Sequence, residues 1–422
     1  MRKKSTRSTR SASAPRIGIA LAGGGPLGAI YEIGALAAIA DCMPGLNLND
    51  LEVYVGVSAG SVIAAGLANG FTPRQMSRLF IEGESTVHPF RPEELLPLAS
   101  AEFRHRLKQI PPLLWATVLT YLKRPGSVWR ALEHLGRAIP TGVFSGEGLD
   151  AFLRRVFAQP GCTNDFRKLR HKLFVVATDL DTGSAIEFGT PGTQHVPISR
   201  AVQASAALPG LFAPVEIDGR HFVDGALRKT LHASVALDQG VRLLLCLNPL
   251  VPFDATPHAA TTLARAQAHE FALDKLVDGG LPVVLSQTFR SLIHSRLDTG
   301  LARYKTAYPH ADIVLFQPKR TDADMFFTNM FSYSGRRALC EHAYQRTRES
   351  LLARERTLKP LLARHGVRLD LDALRDPQAK LVAHMQEASG GGLRHAGRSA
   401  AATLRQLHHT LEDLTHWLHM QR

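Results

Sequence analysis

Apolar and polar positions change their period several times along the chain, and the changes mark out its elements. Ile17 to Leu21 is a short apolar run, followed by glycines and then by a long stretch of small and apolar residues, AIYEIGALAAIA. The run predicts a buried strand, the glycines a loop, and the stretch from about Gly28 a helix. LEVYVGVSAG and SVIAAGLANG repeat that order as a second strand and a second helix. A β-loop-α series of this kind predicts a mostly parallel sheet covered by helices on both faces. Both loops then fall at strand carboxyl ends, the edge of an open α/β sheet where ligand sites gather.

The alternation breaks from about Phe90 to Pro140. There IPPLLWATVLTYLKRPGSVW carries Trp115 and Trp129, with Arg104, Arg106, Lys108, Lys123 and Arg124 nearby. A short apolar stretch with basic flanks suits a lipid interface or a cover over a site, and equally a helix packed on the domain. The sheet resumes with Leu173 to Thr178 as a buried strand and Asp179 to Gly183 as a polar turn. SAIEFGT predicts a strand, and PISRAVQASAALPGLF a helix stopped by Pro209-Gly210. PVEIDGRHFVDGALRK alternates around Asp218-Gly219, a type I′ hairpin signal, and its second arm delivers His221, Phe222, Val223, Asp224 and Gly225. VRLLLCLNPL and ADIVLFQP predict two further buried strands, and from Gly335 onward the pattern is helical. The last segment starts with a glycine hinge and then spaces Leu404, Leu407, Leu411, Leu414 and Leu418 along one helical face. Packing on the domain or self-pairing is the plainer reading of that face, with membrane contact second.

Composition narrows the class. The 422 residues are 45% hydrophobic and 21% charged, enough for one large core or two and unlike a disordered chain. The formal charge of +13 invites an anionic partner, nucleic acid or an anionic lipid surface. Part of the excess is local, because MRKKSTRSTRSASAPR has six Lys/Arg and no acid. It reads as a solubilising arm or a targeting sequence, without the apolar centre of a secretory signal. No apolar run approaches the roughly eighteen residues of a membrane span. Cys42, Cys162, Cys246 and Cys340 are scattered without paired spacing, which favours reduced thiols and a cytoplasmic setting.

Chemistry is concentrated at two loops and one strand end. Gly56-Val57-Ser58-Ala59-Gly60 is the nucleophile-elbow pattern G-x-S-x-G, with Ser58 between strand and helix. Gly23, Gly25 and Gly28 also match the dinucleotide fingerprint G-x-G-x-x-G. That fingerprint needs an acid at the end of the second strand, whereas Asp50 and Glu52 lie at its start and Val57-Ser58 at its end. No Gly-Lys-Ser or Gly-Lys-Thr follows, so a P-loop fits less well still. As an oxyanion hole the loop makes better sense, since consecutive glycines let backbone amides come close to a developing O⁻. Gly23, Gly24 and Gly25 are the candidate donors, with the amide of Ala59. Among 19 histidines none falls at an obvious strand-end loop: His221 lies three before Asp224, and His232 and His294 sit in helical patterns. Asp224 does end an apolar strand, where an acid needs a reason.

Taken together these residues resemble the patatin-like phospholipases, marked by a glycine-rich loop, G-x-S-x-G and a distant Asp-Gly-Gly or Asp-Gly-Ala. The three occur in order as Gly23-Gly24-Gly25-Pro26-Leu27-Gly28, Gly56 to Gly60 and Asp224-Gly225-Ala226, with family-like blocks at ATDLDTG and ASAALPGLFAP between them. Many members have Arg or Lys where Leu27 stands. The resemblance implies a three-layer α/β/α fold with a mostly parallel central sheet, plus a helical C-terminal extension. It implies a Ser-Asp dyad, Ser58 the nucleophile and Asp224 the base, in a carboxylic ester hydrolase of lipid or phospholipid substrates. Neither cofactor nor metal is called for, and nucleic acid is not expected. The implied organisation is a basic tail over 1–15, a hydrolase domain over 16–350 with core motifs in 16–237 and an insertion at about 90–140, and helices over 351–422. Peripheral contact with an anionic membrane and self-association through the C-terminal helix are further expectations. The competing classes are a catalytically silent lipid-binding or scaffold protein of the same fold and a nucleotide-binding protein.

Overall fold

A computed structural model of the protein describes residues 16–82, 140–255, 275–327 and 333–381. The basic tail, most of the Phe90–Pro140 segment and the leucine-spaced C-terminal helix lie outside these residues.

Strands β1 (Ile17–Leu21), β2 (Val53–Val57), β4 (Lys172–Asp179), β9 (Leu243–Leu247) and β10 (Asp312–Phe316) form a parallel block in the order β10-β9-β1-β2-β4. Side chains along them alternate between two buried faces. On one face Ile19, Leu21, Tyr54, Val175 and Leu245 pack with helices α1 (Gly25–Cys42) and α7 (Tyr333–Ala353). On the other, Ala20, Val55, Val57, Val176 and Cys246 pack with α5 (Ala233–Asp238) and α6 (Gly280–Ala307). Continuous apolar strands are what a sheet covered on both sides requires, and each aliphatic side chain so buried contributes about 1.5–3 kcal/mol relative to exposure. The architecture is three layers, α/β/α, with a mostly parallel central sheet. Helices Glu355–Ala363 and Leu371–Arg375 follow α7. No described helix is long and apolar enough to cross a membrane.

Two details depart from the sequence pattern. Helix α1 begins at Gly25 rather than near Gly28, because Pro26 in the first turn presets a helical φ and needs no amide partner there. Helix α4 (Ile198–Ser205) ends before Pro209, and Gly210–Phe212 forms a strand, β6, paired in parallel with β3 (Gly142–Phe144). Proline disfavours helical backbone at the residue before it, and the freed segment then finds a partner far away in sequence.

The remaining strands decide where the site lies. The hairpin β7 (Val215–Ile217) to β8 (Arg220–Asp224) turns at Asp218 and Gly219, both with positive φ (51° and 73°), as a type I′ turn needs. Val175 and Val176 of β4 pair both with β2 and with the antiparallel β5 (Ala185–Phe188), while Ala177 and Thr178 pair both with β5 and with β8. Strands β2 and β8 therefore occupy the same edge of β4, one after the other. Val57 is opposite Val176 and Asp224 opposite Ala177, so the residue after Val57 and the last residue of β8 meet.

Candidate active site

Ser58 stands between β2 and helix α2 (Ala59–Ala68) with φ 52° and ψ −129°, a conformation rare for a residue with a side chain. Such backbone costs about 1–3 kcal/mol and persists only where the surroundings impose it. The Ser58 amide donates to Ser205 Oγ at 2.8 Å, and Ser205 Oγ donates in turn to the Val176 carbonyl at 2.6 Å. On the far side the Ser58 carbonyl accepts from the Ser61 amide at 2.9 Å and from the Ser61 hydroxyl. Gly60 lets the turn close onto β1, because a Cβ there would lie 2.5 Å from the Ala22 carbonyl oxygen.

Asp224 has ordinary extended backbone and is held from four sides. Its amide donates to the Ala207 carbonyl (2.9 Å), and its own carbonyl accepts from Thr178 Oγ1 (3.1 Å). Oδ1 accepts from the Ala226 amide at 2.8 Å, and Oδ2 accepts from Ser58 Oγ at 2.6 Å. Gly225 is required by packing, since a Cβ on it would come 2.1 Å from the Val176 carbonyl oxygen. Asp224 as a whole is 3% exposed. Burial raises its pKa to about 6, against the opposing pull of the Ser58 hydroxyl and the Ala226 amide. A carboxylate of this kind accepts a proton near neutral pH far more readily than a solvated one.

The glycine loop follows β1, the neighbouring strand, at the same sheet edge. A Cβ on Gly23 would lie 2.8 Å from Ser58 Cβ, so the bare backbone of this residue faces the serine. A Cβ on Gly24 would strike Pro249 (2.6 Å), and Gly25, with φ 60°, opens onto free space and starts α1. Ala59 is the first residue of α2. Ala207 also lines a small apolar hollow with Leu149, Ala206, Phe212 and Val215.

Among the described residues no histidine bonds to Ser58 or Asp224. His232, buried before α5, faces the Gly225 carbonyl at 3.4 Å, and burial lowers its pKa to about 4, leaving it neutral at pH 7. Ser205 and Thr178 are the residues that sequence reasoning missed. Both lie in blocks singled out for their family likeness, but nothing in ASAALPG says which side chain turns inward. Asp322, Asp324 and His342 bring ligand-type atoms within 4.8 Å of one another. There the imidazole stands between the acids, Nε2 hydrogen-bonded to Asp322 at 2.8 Å and Nδ1 3.6 Å from Asp324.

Three α/β/α layers around a mostly parallel sheet, with a strained strand-to-helix serine set against a buried carboxyl, define the class, an α/β protein with a G-x-S-x-G turn at the sheet edge. Residues 19–237, just over half of the chain, match the family described as patatin-like phospholipase, and the chain belongs to that family. Uncharacterized NTE family proteins of Mycobacterium bovis and Mycobacterium tuberculosis are 44% identical over 52 residues, which is 12% of this chain and 13% of theirs. VipD from Legionella pneumophila aligns with 20% identity and a TM-score of 0.31 over 78% of this chain and 68% of its own. The type III effector protein ExoU aligns with 18% identity and a TM-score of 0.26 over 83% and 64%. At these scores neither structure bears on the chemistry of the site.

Proposed function

We propose that the protein is a serine hydrolase of lipid acyl esters, with Ser58 as nucleophile and Asp224 as base. The observation that carries the reading is the 2.6 Å contact between a buried hydroxyl on an elbow and a carboxylate whose pKa is raised to about 6. As Ser58 Oγ attacks the ester carbonyl carbon, its proton passes to Asp224 Oδ2, and the carbonyl electrons move onto oxygen. Backbone amides of Gly23, Gly24, Gly25 and Ala59 are the proposed donors to that oxyanion, each worth about 3–4 kcal/mol by comparison with other serine hydrolases. When the tetrahedral adduct collapses, Asp224 gives its proton to the departing alcohol and an acyl-Ser58 ester remains. Water then attacks this ester, Asp224 takes the water proton, and its return to Ser58 Oγ releases the acid. Membership of the patatin-like phospholipase family supports lipid esters as substrates. Peripheral contact with an anionic membrane, a cytoplasmic setting and a hydrolase domain over 16–350 belong to the same proposal.

The test is covalent labelling. A fluorophosphonate should form one adduct, located on Ser58 by mass spectrometry, and Ser58→Ala should lose both the adduct and turnover of p-nitrophenyl butyrate. A folded wild-type protein that neither labels nor turns over the ester is instead a silent member of the fold.

A further inference from the structure

Beneath the glycine loop lies a carboxyl that no step of the proposed reaction uses. Glu32 belongs to α1, one turn beyond Gly28, on the side of the helix that meets the loop: a Cβ on Gly28 would lie 3.0 Å from Pro249 Cγ and 3.8 Å from the Gly23 carbonyl carbon. Residues four apart share a helix face, and helical side chains lean toward the amino end, so Glu32 runs back toward the end of β1. It is fully buried, and among the described residues neither carboxyl oxygen has a hydrogen-bond partner. The polar group that acts on it is the Ala22 amide, which donates to the Leu247 carbonyl at 3.0 Å and has little left for a second acceptor.

Ala22 is the joint between β1 and the loop. Its carbonyl oxygen is the atom that a Cβ on Gly60 would strike at 2.5 Å, so the same residue touches the elbow helix. Gly23 follows with its bare backbone turned to Ser58, and a Cβ on Gly24 would strike Pro249. The loop therefore has Ser58 on one side, Pro249 on another and Glu32 at its root. A buried acid without a full partner is costly, and an aliphatic side chain would fill the same space without that cost. Exceptions of this kind in a native interior collect where they hold or tune a site. Burial pushes the Glu32 carboxyl up, the direction that favours its uncharged form and keeps negative charge away from the proposed oxyanion.

We propose that Glu32 is a positioning residue of the glycine loop: its carboxyl, set against the Ala22 amide, fixes the end of β1 so that Gly23 stays turned to Ser58. The inference rests on the hydrolase reading and adds to it a residue that touches neither substrate nor nucleophile. Oxyanion donors help only if they are already aimed when the charge appears, and a small rotation of the Ala22-Gly23 peptide would misdirect them.

Kinetics of the full chain on p-nitrophenyl butyrate test this. Glu32→Met keeps the length of the side chain without its carboxyl, and Glu32→Leu is a second apolar variant. In both, kcat should fall about 10–100-fold with KM within about twofold. An alkyl trifluoromethyl ketone adds the serine and leaves an oxyanion in the loop, so its inhibition constant should rise by the factor that kcat/KM falls, which a merely structural role would not produce. Glu32→Gln retains an acceptor in the same place and should keep kcat within about fivefold of wild type. Four results would each overturn the proposal: wild-type kcat in Glu32→Met, a Glu32→Gln as slow as Glu32→Met, an inhibition constant that does not follow kcat/KM, or a failure of both apolar variants to fold by thermal unfolding. A wild-type protein without turnover is a separate result, which rejects the hydrolase reading and the role of Glu32 with it.

Discussion

Ser58 and Asp224 reach the same point by different means. The serine arm is local: strand, elbow and helix run from Val53 to Ala68, and the cost lies in backbone, at φ 52°. The aspartate arm has unstrained backbone (φ −50°, ψ 131°), and its cost lies in solvation, a buried aspartate. The two costs behave differently during a reaction. Backbone strain would persist through every step of the proposed reaction, whereas desolvation of Asp224 would be relieved when it takes a proton, the moment at which the proposed base acts. Glu32 on α1 shows what burial does alone. It is 0% exposed, neither carboxyl oxygen has a hydrogen-bond partner among the described residues, and burial pushes its pKa well above its ordinary value. The Ala22 amide eases that slightly, yet it is committed to the Leu247 carbonyl at 3.0 Å. Burial alone thus pushes the Glu32 carboxyl up, while the bonds from Ser58 and Ala226 oppose that push at Asp224 and leave it near 6.

The comparison breaks most sharply if one arm is removed without changing its shape. Asp224→Asn keeps the volume and loses the proposed base, so kcat for p-nitrophenyl butyrate should fall about 10²–10⁴-fold with KM little changed. A variant retaining wild-type kcat would take Asp224 out of the mechanism. Ser205→Ala attacks the serine arm at a distance by freeing the Ser58 amide and the Val176 carbonyl. Expected is a loss of about 10–100-fold in kcat with KM within about twofold, because only the aim of the nucleophile is disturbed. An equal rise in KM would argue for general damage to the fold instead.

Titration sharpens the contrast. Since Asp224 must be ionised to accept the proton, kcat/KM should rise about tenfold per pH unit below about 6 and level off above. A pH profile flat from 4 to 8 would contradict the assigned role. The smallest effect is on stability. Asp224 and Glu32 both have folded-state pKa values above their unfolded ones. Each therefore contributes stability present below about pH 4 and lost as pH rises through the folded value, which for Asp224 is about 6. Asp224→Asn should melt about 1–3 °C above wild type at pH 7 and match it near pH 4. Glu32→Gln should gain on wild type as pH rises above about 4, and a difference in melting temperature that does not change with pH would contradict the upward push that burial gives the Glu32 carboxyl.

Much of the fold was legible because its signals are local. The apolar runs at Ile17–Leu21 and Leu243–Leu247, the elbow around Ser58 and the Asp218-Gly219 turn each depend on a few neighbouring residues. What stayed illegible was contact across the chain. The strand Gly210–Phe212 exists because Gly142–Phe144 pairs with it, and its short sequence has no alternation of its own. Ser205 was hidden for the same reason: a small residue on an amphipathic helix looks alike whether it fills space or carries the amide of Ser58 to Val176.

Periodicity and turn chemistry thus determined by themselves a parallel α/β series, a serine on its elbow and an aspartate at a strand end. Only the tertiary structure decided that β8 continues the edge of β4 where β2 stops, which puts Asp224 Oδ2 2.6 Å from Ser58 Oγ. Only the tertiary structure, too, decided that Leu281 and Leu285 stay in water while Leu297 and Leu301 of the same helix pack on the sheet. The division is physical: side-chain period and backbone preference act over a few residues, while pairing register and burial depend on partners far away along the chain.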